Sequence, residues 1–123
     1  MNNKSLHTRV IVVGDVHGEY EKFRDILYHA KLTDLDENWT GGNAILAQTG
    51  DMIDRGPKSI ESVEYIRSLQ EQAKEAGGKV VRLFGNHELM LLQGDYRYAN
   101  FQRREQLARK LRNDIVDRKL QAA

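Results

Sequence analysis

Asp15 and His17 stand two residues apart between glycines in Gly14-Asp15-Val16-His17-Gly18. Alternate residues leaving a strand can point the same way, so this carboxylate and imidazole can grip one cation. Hard oxygen with borderline nitrogen suits Mn, Fe or Zn better than Ca. A second cluster, Gly50-Asp51-Met52-Ile53-Asp54-Arg55-Gly56, offers Asp51 as a carboxylate bridging two cations. A third, Gly85-Asn86-His87-Glu88, offers the Asn86 side-chain oxygen to the second cation. Two divalent ions about 3.5–4 Å apart can share a hydroxide and clamp a phosphoryl group for in-line attack. His87 then serves as the general acid that protonates the leaving oxygen. Asp54 orients that imidazole and stabilises its charged form, and Arg55 presents a planar fork of donors to phosphate oxygens. Hydrolysis of a phosphate ester is the leading expectation.

Taken singly, the clusters have plainer explanations. Asp after a strand is often a turn residue or a helix cap, and Gly-Asn-His-Glu is compatible with an Asn-capped turn. The middle cluster is more specific, because five of its seven positions are of defined type. Asp15 and Asp51 are 36 residues apart, and Asp51 and Asn86 are 35 apart. Each cluster follows a strand-like run, so one sheet edge can collect all three.

The elements that must position them follow from periodicity. Val10 to Val13 is a continuous β-branched run, which predicts a strand covered on both faces. Glu19 to Ala30 reads as a helix with Phe23, Ile26, Leu27 and Ala30 on one face. Residues 33–43 are polar, end in Gly41-Gly42 and read as loop and turn. Ala44 to Thr49 is a second strand. Pro57 sits at a helix start, and Lys58 to Ala76 carries Ile60, Val63, Ile66, Leu69, Ala73 and Ala76 at helical spacing. Gly77-Gly78 is a stop, and Lys79 to Phe84 is a third strand. A β-α-β-α-β order favours a parallel sheet, whose ligand site lies beyond the carboxyl ends of its strands. Leu89 to Leu92 begins a short helix that Gly94 ends, and Phe101 to Leu120 reads as a long one. No further apolar strand is evident.

Composition narrows the class. The chain has 123 residues and a net charge of +1, which disfavours a general nucleic-acid binder or a polybasic membrane protein. It has no cysteine, which excludes disulfides and thiolate zinc. The first residues lack the apolar core of a signal peptide, and no run reaches the ~20 apolar residues of a membrane span. The expectation is a cytoplasmic protein with no membrane and no nucleic-acid partner. His7 and His29 read as surface or core-edge residues. The basic run from Arg103 to Lys119 reads as the solvated face of a docked helix, since it lacks the stacking aromatics of a single-strand site.

The three clusters resemble those of the calcineurin-like metallophosphoesterases, in the branch that carries G-D-x-H-G, G-D-x-x-D-R-G and G-N-H-E and includes the phosphoprotein phosphatases. Trp39-Thr40-Gly41-Gly42, Ser68-Leu69-Gln70-Glu71-Gln72-Ala73 and Gly85 to Met90 running into Gln93-Gly94-Asp95-Tyr96-Arg97-Tyr98 are similar to the Shewanella-like protein phosphatases of bacteria and plants. The likeness runs from Val10 to about Ala122. It implies an α/β fold: the β-α-β-α-β half of a metallophosphoesterase sandwich with a C-terminal helical segment, as a single, incomplete domain over residues 1–123. It implies two divalent metal ions, with Asp15 and His17 on the first, Asp51 bridging, and Asn86 on the second. His87, paired with Asp54, is the implied proton donor, and Arg55 the phosphate ligand. The implied substrate is a protein phosphorylated on Ser/Thr or Tyr, or a small phosphoester.

Members of this family continue further and supply two more histidines to the second metal and another phosphate-binding arginine. No histidine follows His87 here. The expectation is therefore an N-terminal half with an under-liganded second site, impaired activity, and an exposed half-sheet that favours self-association. Two alternatives stand beside it. Arg55-Gly56-Pro57 before a helix also resembles the dinucleoside-polyphosphate hydrolases, although Asp54 favours the phosphatases. A non-catalytic fragment that binds metal or a partner is the other, opposed by the intact Asp54, Arg55 and His87.

Overall fold

The computed structural model describes residues 8–95, 97 and 104–122. The expectations placed on residues 1–5, His7, Tyr96, Tyr98 and residues 101–103 lie outside them. The described chain runs β1 (Val10–Val13), α1 (Tyr20–His29), β2 (Ile45–Gln48), α2 (Ser59–Glu75), β3 (Lys79–Phe84), α3 (Asn86–Leu92), α4 (Arg104–Val116) and β4 (Gln121–Ala122). This is the α/β alternation that the periodicity predicts. Among the described residues, no helix is long and apolar enough to cross a membrane.

The strands stand in the order β1-β2-β3-β4, each parallel to its neighbour. With sequential order and crossovers of one hand, successive helices fall on the same face of the sheet. Burial follows that rule. Val13, Leu46, Gln48, Val80 and Arg82 point into the helical layer and are buried. Val10 and Val12 point to the other face and are 58 % and 64 % exposed. The expectation that β1 is covered on both faces is thus corrected, because among the described residues only one face carries helices. Within that layer Phe23 and Leu27 of α1 pack with Leu46, Ile66 and Leu69. Full burial of such an aliphatic side chain contributes roughly 1.5–3 kcal/mol. Ile26, expected on the same face, is half exposed, because α1 turns only its Phe23–Leu27 edge inward.

Two helix starts also move. Helix α2 starts at Ser59 with Lys58 as its cap, so Pro57 precedes it. Helix α3 starts at Asn86, inside the third cluster. A fourth strand does exist: Leu83 and Phe84 pair with Gln121 and Ala122. Two residues carry no alternation, so only the backbone pairing reveals it. His29 ends α1 exposed to solvent, as expected.

Helix α4 is held by a charge as well as by Leu107, Ala108 and Leu111. Asp114 is fully buried. Its carboxylate lies 2.9 Å from Arg82 Nη1 on β3 and 3.0 Å from Arg67 Nε on α2. Burial pushes the Arg82 guanidinium down from its ordinary value, and Asp114 opposes the shift. Removing one partner of a buried pair leaves an uncompensated charge, at about 3–5 kcal/mol. Asp114→Ala is therefore expected to lower unfolding stability by about that much in urea titrations, and Arg67→Ala by clearly less, since Arg67 is partly solvated.

The segment between α1 and β2 is more ordered than its polar composition predicts. Thr33 and Trp39 form an antiparallel bridge. Trp39 is buried, its N–H donates to Gln72 Oε1 at 2.8 Å, and its indole N–H donates to Gly42 O at 3.1 Å. The Tyr20 hydroxyl donates to the Glu37 carboxylate and ties this segment to α1. Burial, then Glu37, pushes the Tyr20 phenol up to about 12 from 10.0. A phenol raised in the folded state contributes stability that is present below its unfolded value and lost as pH rises from about 10 to about 12. Tyr20→Phe is expected to flatten part of the loss of thermal stability across that window, measured by calorimetry.

Candidate active site

All three clusters leave the carboxyl ends of β1, β2 and β3, the crevice side of a parallel sheet. The loops there are held in left-handed conformations. His17, Asp51, Asp54 and Arg55 have φ of 48°, 52°, 70° and 70°. Such φ values in non-glycine residues cost of order 1–3 kcal/mol each and persist only where neighbours over-determine them. Here the neighbours are the other loops.

The centre of the arrangement is Asp51-Met52. The Asp51 carbonyl accepts the Val16 and His17 N–H groups at 3.0 and 2.9 Å, and the Met52 carbonyl accepts the Gly18 N–H at 2.7 Å. The first loop therefore hangs on the second. Gln48, buried at the end of β2, adds a staple: its Nε2 donates to Gly14 O at 3.0 Å and Gly50 O at 2.7 Å. On the other side the His87 N–H donates to Asp51 Oδ1 at 2.9 Å.

These contacts bring Asp15, His17 and Asp51 together, with one ligand atom from each within 4.8 Å of the others. His17 Nδ1 lies 2.9 Å from the Ile53 carbonyl, which can only accept, so Nδ1 carries the proton. Nε2 is then the nitrogen through which a neutral ring could meet a cation, and it sits 3.4 Å from Asp15 Oδ2. Asp15 is exposed, and His17 and Asp51 are partly buried. Two carboxylates and one neutral imidazole fit a divalent cation of the Mn, Fe or Zn type.

His87 is buried beside this group, its ring edge-on to His17 at 4.7 Å between centroids. Its Nδ1 lies 3.0 Å from Oδ2 of the buried Asp54, so Nδ1–H donates there. Ser59 Oγ accepts the Asp54 N–H at 3.1 Å and fixes that loop on α2. Arg55, next to Asp54, is exposed. Asn86 opens α3, one residue before the amide that binds Asp51.

The profile of the calcineurin-like phosphoesterases matches residues 8–120. The chain belongs to that family. It is 40% identical over 91 residues to Shewanella-like protein phosphatase 2 of Arabidopsis thaliana, covering 74% of this chain and 23% of that protein. It is 35% identical over 82 residues to a symmetrical bis(5'-nucleosyl)-tetraphosphatase of Psychromonas ingrahamii, covering 66% of this chain and 24% of that protein. A solved cold-active protein-tyrosine phosphatase of a psychrophilic Shewanella superposes with a TM-score of 0.75 at 38% identity, covering 87% of this chain and 32% of that one. The chain thus spans about a quarter of the curated relatives' length and about a third of the solved structure.

Within this phosphoesterase scaffold, residue-by-residue reading missed two buried polar side chains. Gln48 occupies an inward strand position where alternation calls for an apolar residue, which is a legible signal of a polar staple. Glu88 stands three residues after Gly85 at a helix start, the spacing of a capping glutamate. Burial pushes the Glu88 carboxyl up from its usual range, and N–H bonds from Gly85, Asp51 and Met52 oppose that.

The loops approach so closely that two glycines leave no room for a side chain. A Cβ on Gly50, whose φ is +100°, would lie 2.3 Å from Gly85 N, and one on Gly85 would lie 2.6 Å from Asp51 Oδ1. Gly85→Ala is expected to push the Asp51 carboxylate aside and weaken Mn2+ binding by roughly ten-fold in calorimetric titration, the scale of a disturbed outer-shell contact.

Proposed function

We propose that this chain carries the metal-binding and proton-donating part of a metal-dependent phosphoric monoester hydrolase that acts on phosphorylated proteins. The observation that carries the reading is the convergence of Asp15, His17 and Asp51 beside the buried Asp54–His87 pair. Divalent cations bound there supply positive charge that polarises a phosphoryl oxygen and acidifies water. Asp15, His17 and Asp51 would hold one such cation, and Asp51 and Asn86 would be the donors toward a second. Arg55 binds phosphate oxygens in a bidentate fork. Asp54 keeps Nδ1 of His87 protonated and stabilises the imidazolium, so that Nε2 delivers a proton to the leaving oxygen. Similarity to the Arabidopsis and Shewanella phosphatases supports a phosphoprotein substrate. We further propose that residues 1–123 belong to a single domain.

Likeness to the tetraphosphatase supports a second substrate class, a dinucleoside polyphosphate. Rates with Mn2+ on a phosphotyrosine peptide, a phosphoserine peptide and diadenosine tetraphosphate separate the two. Preference for either peptide is expected, and preference for the dinucleotide would overturn the protein-phosphatase assignment. His87→Asn is expected to lower kcat by roughly 10²–10⁴-fold with little change in KM. Turnover that survives Asp15→Ala unchanged would sink the metal-dependent mechanism.

A further inference from the structure

Glu88 has no part in the mechanism above, yet it is only 1 % exposed and lies against the site. Its Oε1 accepts the Asp51 N–H at 2.6 Å and the Gly85 N–H at 2.7 Å, and its Oε2 accepts the Met52 N–H at 2.8 Å. A buried carboxylate is tolerated only when such donors satisfy it. The bond to Gly85 is local, as a capping glutamate makes it. The other two reach back 37 and 36 residues, to the end of β2.

We infer that Glu88 is a positioning residue that clamps the Asp51 and Met52 amides, and thereby holds the Asp51 carboxylate in the pose that receives a divalent cation. This rests on the metal-binding reading proposed above. Asp51 keeps a left-handed φ of 52°, a region that non-glycine residues occupy uncommonly. Its N–H is committed to Glu88, its carbonyl to the first loop, and its Oδ1 to the His87 N–H. With the backbone so held, a carboxylate oxygen of Asp51 lies within 4.8 Å of ligand atoms of Asp15 and His17. Both Glu88 oxygens accept from backbone donors, and Glu88 lies outside the Asp15–His17–Asp51 donor group. The same clamp orders the first loop indirectly, because Val16, His17 and Gly18 hang from the Asp51 and Met52 carbonyls.

The test is Mn2+ titration of the wild-type chain, Glu88→Gln and Glu88→Ala, with native circular dichroism as the check on folding. Glu88→Ala is expected to bind Mn2+ roughly 10–100-fold more weakly, as outer-shell losses do. Glu88→Gln should fall between, since one oxygen still accepts while its amide group opposes the Met52 N–H. Leu27→Ala, a destabilising change in the α1 core, should leave the affinity unaltered and so separates positioning from stability. A folded Glu88→Ala that binds Mn2+ like the wild type overturns the proposal. Should that variant not fold, hydrogen exchange in the metal-free wild type decides. Asp51 and Met52 amides exchanging much more slowly than the exposed Leu35 amide support the clamp, and equal rates overturn it. A wild-type chain that binds no Mn2+ defeats the metal-binding reading itself, and the exchange rates then still decide the clamp.

Discussion

Everything at the carboxyl edge of this sheet depends on the backbone of two residues, Asp51 and Met52. Their carbonyls accept from the first loop, and their N–H groups donate to Glu88 in the third. Beyond its last ladder bond, a strand-end loop has no regular partner for its polar groups. Three such loops can stay rigid only by satisfying one another. The left-handed φ at His17, Asp51, Asp54 and Arg55 is what that mutual satisfaction requires. A metal site and an acid–base pair of the kind proposed both need side chains fixed to within a fraction of an ångström. The hub provides that rigidity without a disulfide.

The sheet supplies the second constraint. Sequential strand order gathers the helices on one face, with Asp114 locking α4 to α2 and β3 through Arg67 and Arg82. The other face keeps Val10 and Val12 in solvent. A two-layer arrangement is sufficient to bring three strand ends together, and the site forms at the edge of those layers rather than within either. The calcineurin-like phosphoesterase family is defined here by that edge. The family match over residues 8–120 covers all three motif loops.

The residues expected to act together are distributed in two groups. Asp15, His17 and Asp51 converge as a donor set, and Asp54 with His87 forms a buried pair against it. Arg55 and Asn86 sit on the same loops, at the exposed rim. The tautomers of both histidines follow from their acceptors, Ile53 O and Asp54, and neither acceptor's part can be read from spacing. That is why chemistry inferred from residue types needed the fold to become directional.

Much was legible in the linear order. Alternating apolar runs and glycine stops located β1, α1, β2, α2 and β3, because burial of one face imposes its period locally. The motif spacing placed Asp15, Asp51 and Asn86 at successive strand ends for the same reason. Four features were decided only by tertiary structure. The open face of β1 depends on strand order, which periodicity does not encode. Strand β4 is two residues of backbone pairing, with no pattern of its own. The order in the segment around Trp39 arises from contacts with α2, distant in sequence. The clamp by Glu88 joins amides 36 and 37 residues away, so it exists only once β2 and β3 lie side by side. Sequence alone determined which groups are available and in what order. The long-range hydrogen bonds of the folded chain determined which of them meet, because partner choice for a buried polar group is a property of the packed state.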